Sequence, residues 1–160
     1  MSTVYVKKLL RTCLDVVGFL WRLKLKFFED DQFDHIWGNL AVLWAGSVSS
    51  STSYFHKLHA ALAFAAAKQP MLIEKLIAES DGFGTDVATH EIGKSVLESI
   101  LHFATEKYDA CYVALRAYQD KWALLGGSRA QRELLSLTMS ASAQMSKITC
   151  THGTGLSGIS

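Results

Sequence analysis

The stretch LGGSRAQRELL (residues 125–135) decides how the rest of the chain is read. Two adjacent glycines, a serine and two arginines are the ingredients of a phosphate cradle, and equally of a joint between two helices. The spacing Ser128-x-x-Gln131 favours the joint. It is a capping box, in which the serine oxygen accepts from the Gln131 amide and the Gln131 side chain returns to the Ser128 amide. The amides a phosphate needs then already have partners, and Gly126 or Gly127 is free to take the left-handed conformation that ends the preceding helix. Arg129 and Arg132 stay unexplained by capping. Cations at a helix N-terminus oppose the dipole, so these two are the candidates to meet a carboxylate from another helix or a partner.

Outward from that joint the pattern is helical throughout. Apolar residues at Val6, Leu9, Leu10, Cys13, Leu14, Val17, Leu20 and Trp21 recur at three and four, which predicts a first helix from about residue 3 to the mid-twenties. A second follows Asp30 and Asp31, with Phe33, Ile36, Trp37, Leu40, Leu43 and Trp44 as its stripe, and stops at Gly46 and the serine run. SYFHKLHAALAFAAAKQ and PMLIEKLIAE read as a hairpin of helices three and four, Pro70 opening the latter. The loop SDGFGTD, with Gly82 and Gly84, precedes a fifth helix capped by Asp86 or Thr89. A sixth helix runs from Asp109 through ACYVALRAYQDKWALL and a seventh from Ser128 towards residue 146. About seven helices over residues 1–147, paired antiparallel, and a disordered Gly/Ser/Thr-rich tail over 148–160 are therefore expected.

Composition agrees with one all-α domain. The chain has 160 residues, 49% hydrophobic, with a single proline. Sixteen Lys+Arg against fifteen Asp+Glu leave a formal charge of +1, too little for a global field that draws nucleic acid. Cys13, Cys111 and Cys150 are far apart and outside CxxC spacing, which points to a reducing, cytoplasmic setting. No apolar run approaches the roughly 18 residues of a membrane span. The basic first helix, with Lys7, Lys8, Arg11, Arg22, Lys24 and Lys26 against Asp15, is the single hint of membrane contact.

Two further features carry a resemblance. ILHFATEKYDACYVALRAY looks like a degenerate tetratricopeptide repeat, with Tyr108 and Asp109 at the turn and the small Cys111 three positions after the tyrosine. LWRLKL (20–25), LAVLWA (40–45), LHAALAFAAA (58–67), HEIG (90–93) and GGSRAQRELL (126–135) occur in one order, and together they resemble the C-terminal part of the tetratricopeptide repeat protein 38 family over residues 13–145. That resemblance implies stacked helix pairs in a right-handed superhelix, and a chain corresponding to part of a longer array whose open ends favour self-association. The family reads Phe-Asn-Asp before Leu-His where this chain has Phe55, His56 and Lys57, so the carboxylate partner of a histidine is not carried over. Ala117 stands where the family has proline, implying a straighter sixth helix.

Residues with chemical potential are few. ATHEIGKS (88–95) resembles a nucleotide-binding loop, but Ala88 replaces its first glycine, and Gly93 reads better as a close helix contact. His56 and His59 have metal-ligand spacing without a cysteine or HExxH partner. Cys111 sits where a repeat wants a packed small side chain, the glutamates fit solvated faces, and the tryptophans lie on apolar stripes. No catalytic, metal or cofactor residue is nominated, and no cofactor is expected. The reading is a non-enzymatic scaffold offering a groove to a protein or peptide partner. The alternative is an enzyme or small-molecule binder with His59, His90 and Arg132 lining a pocket between helices.

Overall fold

The computed structural model describes residues 3–50, 52–82 and 85–154. Among them are seven α-helices, one 3-10 helix and no strand: α1 (Thr3–Lys26), α2 (Asp34–Ser47), α3 (Tyr54–Ala66), α4 (Pro70–Ala78), α5 (Val87–Ala104), α6 (Tyr108–Ala117), the 3-10 helix (Gln119–Leu125) and α7 (Arg129–Thr154). The arrangement is consistent with an all-α helical-repeat fold.

Local chemistry sets most helix ends. Ser53 caps α3 by accepting from the His56 amide, Asp86 caps α5 by accepting from the Thr89 amide at 2.9 Å, and Pro70 opens α4. The two central hairpins, α3–α4 and α5–α6, turn in the same way. In each, one residue past the C-cap takes the left-handed region, Lys68 at φ 60° and Glu106 at φ 61°. The Gln69 amide donates to Phe64 O and the Lys68 amide to Ala65 O; the Lys107 amide donates to His102 O and the Glu106 amide to Phe103 O. This is the Schellman turn, repeated one hairpin later, each time on a non-glycine residue that pays about 1 kcal/mol for it.

The core is built round α3. Every residue from Lys57 to Phe64 is buried, and Ala60, Ala61 and Ala63 let α1, α2, α4 and α5 come close on all sides. Beside it Trp21, Trp37, Phe28, Phe103 and Tyr108 form an edge-to-face cluster with centroids 5.4 to 6.4 Å apart. Each such ring stabilises by about 2 kcal/mol or more through burial alone. The first and last helices also meet: the Trp21 indole N–H donates to Thr138 Oγ1 at 2.9 Å, and Arg22 donates to Ala130 O at 2.7 Å. On the other flank of α7, Ser142 donates to Cys111 Sγ and Ser146 to the Asp109 carboxylate, tying it to α6.

Three details differ from the sequence reading. The sixth helix is not continuous, because α6 ends at Ala117 without any proline and the chain tightens into the 3-10 helix. Three residues per turn put Trp122 and Leu125 on one side, and both are buried. The second helix begins at Asp34, later than Asp30, whose carboxylate instead accepts from the Gln32 amide in the preceding turn. Finally α7 runs on to Thr154, so residues 148–154, expected in the disordered tail, are helical, since no glycine or proline interrupts the segment before Gly153. Residues 155–160 lie outside the described residues, as does Gly84 of the internal loop.

Candidate functional site

Two places collect the polar and aromatic side chains, and they are unlike. The first is the seam between α3 and α5. Gly93 lies in α5 directly beneath the Tyr54 ring: a Cβ there would stand 2.2 Å from Tyr54 Cγ. The ring can therefore lie flat, and its hydroxyl reaches His90 Nδ1 at 2.6 Å. His90 in turn covers Gly82, whose φ of 76° turns the loop back on the ring; a Cβ there would be 2.7 Å from the imidazole. Lys57, 2% exposed, donates from Nζ to Ser50 O at 2.9 Å and lies 4.8 Å over the Tyr54 ring. Burial lowers its pKa, while the nearby charge of Asp81 acts the other way.

His59, one turn along α3, is fully buried. Its Nδ1 lies 2.8 Å from Phe55 O, so that nitrogen carries the proton and Nε2 presents a buried lone pair without a partner. Burial, ahead of all other influences, lowers its pKa to about 4 and leaves the ring neutral. His56 bonds Ser53 Oγ at 2.7 Å. No hydrogen bond joins His59 to His90, and no histidine lines any of the three cavities named below. Among the described residues no three His, Cys, Asp or Glu side chains are grouped to hold a metal ion. Cys111 is fully buried in the first turn of α6 against Ser142, and burial pushes its thiol up to about 11, where it carries no nucleophilic thiolate.

The second place is the joint before α7. Gly126 and Gly127 both have positive φ, 85° and 77°, and the Gly127 backbone is pressed against the Phe55 ring, which a Cβ would meet at 2.3 Å. The Ser128 amide donates to Gln131 Oε1 at 2.9 Å and the Gln131 amide to Ser128 Oγ at 3.2 Å, closing the capping box. Arg132 folds back so that Nη1 donates to the carbonyls of Gly126 and Gly127, which satisfies the end of the 3-10 helix. Between that helix and the first turns of α7 opens a groove of about 610 Å³, lined by Gln119, Trp122, Arg129, Arg132, Glu133 and Ser136 among others. Trp122, 6% exposed, belongs to its wall, and its indole N–H has no partner. Smaller cavities of about 190 Å³ at Lys24 and Phe33 and about 90 Å³ at Val48 and Leu72 lie between helices.

No family model, curated protein or solved structure matches the chain. No helix among the described residues is long and apolar enough to cross a membrane.

Sequence reasoning passed over Lys57, although it falls at i+3 in the stripe Tyr54, Leu58, Ala61, where a solvated lysine has no place. Trp122, weighed with the other tryptophans as a peptide-binding surface and read as helix-packing core, is buried and also forms part of the groove wall, a position that depends on the switch from α-helical to 3-10 winding after Ala117.

Proposed function

We propose that the protein is a non-enzymatic helical-repeat interaction module of the tetratricopeptide type, related to the C-terminal part of the tetratricopeptide repeat protein 38 family. It acts as a cytoplasmic scaffold for a protein or peptide partner. The observation that carries this reading is the open groove between the 3-10 helix and α7, lined by a tryptophan and two arginines, the side chains over-represented where protein surfaces bind most strongly. The repeated Schellman turn supports the repeat ancestry, and the buried thiols of Cys13 and Cys111 suit a reducing compartment. Against a histidine-lined enzyme pocket stands the use of both histidines in packing, one under Tyr54 and one buried with a neutral ring.

The test is selection of random displayed peptides against the folded protein, followed by amide hydrogen exchange of the complex. Enriched peptides that protect residues 119–136 are expected. Failure to enrich any peptide, or protection confined to another face, overturns the proposal.

A further inference from the structure

We infer that the groove before α7 takes an acidic peptide segment, with Arg129 as its free anion contact and Arg132 committed to holding the joint. This rests on the interaction reading above and names the chemistry of the partner. Arg129 is the first residue of α7, is exposed, and makes no hydrogen bond or ion pair among the described residues. A cation at the positive end of a helix is unfavourable by itself, and an incoming anion reverses the sign of that interaction. Arg132 gives Nη1 to Gly126 and Gly127, which fixes the guanidinium at the groove wall and leaves its other N–H groups available. The one carboxylate in the lining, Glu133, stands 4.0 Å from Arg22 Nη2, so its charge is already partly balanced by α1.

The remaining lining also offers the Gln119 amide and the Ser136 hydroxyl as donors, while Trp122, more than nine-tenths buried and with its indole N–H shut away from solvent, forms part of the wall. The Ser128–Gln131 capping box takes two of the amides at the start of α7 and leaves those of Arg129 and Ala130, so inorganic phosphate enters the experiment as the competing anion. Carboxylates carried on a peptide match this lining, because the two arginines and the neighbouring side-chain donors meet their charges.

The experiment follows the Trp122 indole N–H resonance in a nitrogen-15 spectrum, assigned by its loss in Trp122→Phe, during titration with an octa-glutamate peptide, an octa-glutamine peptide and inorganic phosphate. Octa-glutamate alone is expected to shift it, with affinity falling as salt rises. Arg129→Glu is expected to weaken octa-glutamate binding about tenfold, as charge reversal at a contact does, while the melting temperature stays the same or rises. No shift with octa-glutamate, an equal shift with octa-glutamine, phosphate competing at equal concentration, or indifference to Arg129→Glu each overturns the inference. Random peptides that bind at residues 119–136 but lack acidic residues would leave the interaction module standing and remove only the acidic partner.

Discussion

The seam between α3 and α5 and the joint before α7 are built from the same kinds of residue, glycines pressed on rings and cations near helix ends, yet they differ in what is left over. At the seam, Gly82 and Gly93 admit His90 and Tyr54, Lys57 is matched by Ser50 O and the Tyr54 face, and the unpartnered His59 Nε2 is shut away from solvent. At the joint, Gly127 admits Phe55 and Arg132 donates to the two glycine carbonyls, but the exposed Arg129 side chain remains without a partner in the lining of an open groove. A cation that packing does not consume at a surface is where recognition has to be sought; His59, though its Nε2 is also without a partner, is fully buried with a neutral ring.

The strongest way to break this contrast is Gly93→Ala. Alanine favours a helix, but its Cβ would stand 2.2 Å from the Tyr54 ring, so the ring must leave the seam and release His90. A loss of about 3 kcal/mol in urea unfolding is expected, from overpacking plus the lost contact. A variant as stable as the parent would show that the seam is loose. The pH dependence comes next. His59, held near a pKa of about 4 in the fold, returns to about 6.5 on unfolding. The unfolded chain therefore binds more protons between these values, and stability drops as pH falls through them, by about 2 kcal/mol from pH 7 to pH 5. His56, lowered by burial, acts in the same direction. His59→Leu should flatten most of that slope in urea midpoints measured across the range; an unchanged slope would put the acid sensitivity elsewhere.

The two joint glycines sharpen the comparison from within. Both hold positive φ, and Gly126, with ψ −165°, lies in a region essentially reserved to glycine, so alanine at either is strained by about 1–3 kcal/mol, but only Gly127 has a ring against it. Gly127→Ala is expected to lower thermal stability by clearly more than Gly126→Ala, and equal effects would mean that the joint does not dock on α3. The smallest stability effect belongs to Arg129→Glu. Replacing a cation by an anion at the start of α7 should stabilise by a few tenths of a kcal/mol. The same change abolishes most acidic-peptide binding, and a gain in stability with undiminished binding would assign the anion contact to another residue.

Much of the fold was legible because helix ends are local. Ser53, Pro70, Asp86, the paired glycines and the Ser128–Gln131 box announce themselves within four residues, and the stripes between them give the buried faces. What stayed hidden depends on partners distant in sequence. Lys57 is buried only because Ser50 O, the Tyr54 ring and Asp81 converge on it, and a lysine in a stripe cannot reveal that by itself. The break after Ala117 has no local breaker; it follows from fitting both Trp122 and Leu125 into the core. At the candidate site, sequence marked both arginines, and the geometry divided them, assigning Arg132 to the two glycine carbonyls and leaving Arg129 exposed.

The hydrogen bond from Trp21 to Thr138 joins residues 117 positions apart. A ribosome adding about 5–20 residues per second separates their emergence by on the order of ten seconds. During that interval Trp21 is outside the exit tunnel with its indole N–H lacking the Thr138 acceptor. Closing this ring is a late, long-range event that raises contact order above that of a purely neighbour-to-neighbour stack. The nascent first helix is thus the segment for which a holding chaperone has the most time to compete.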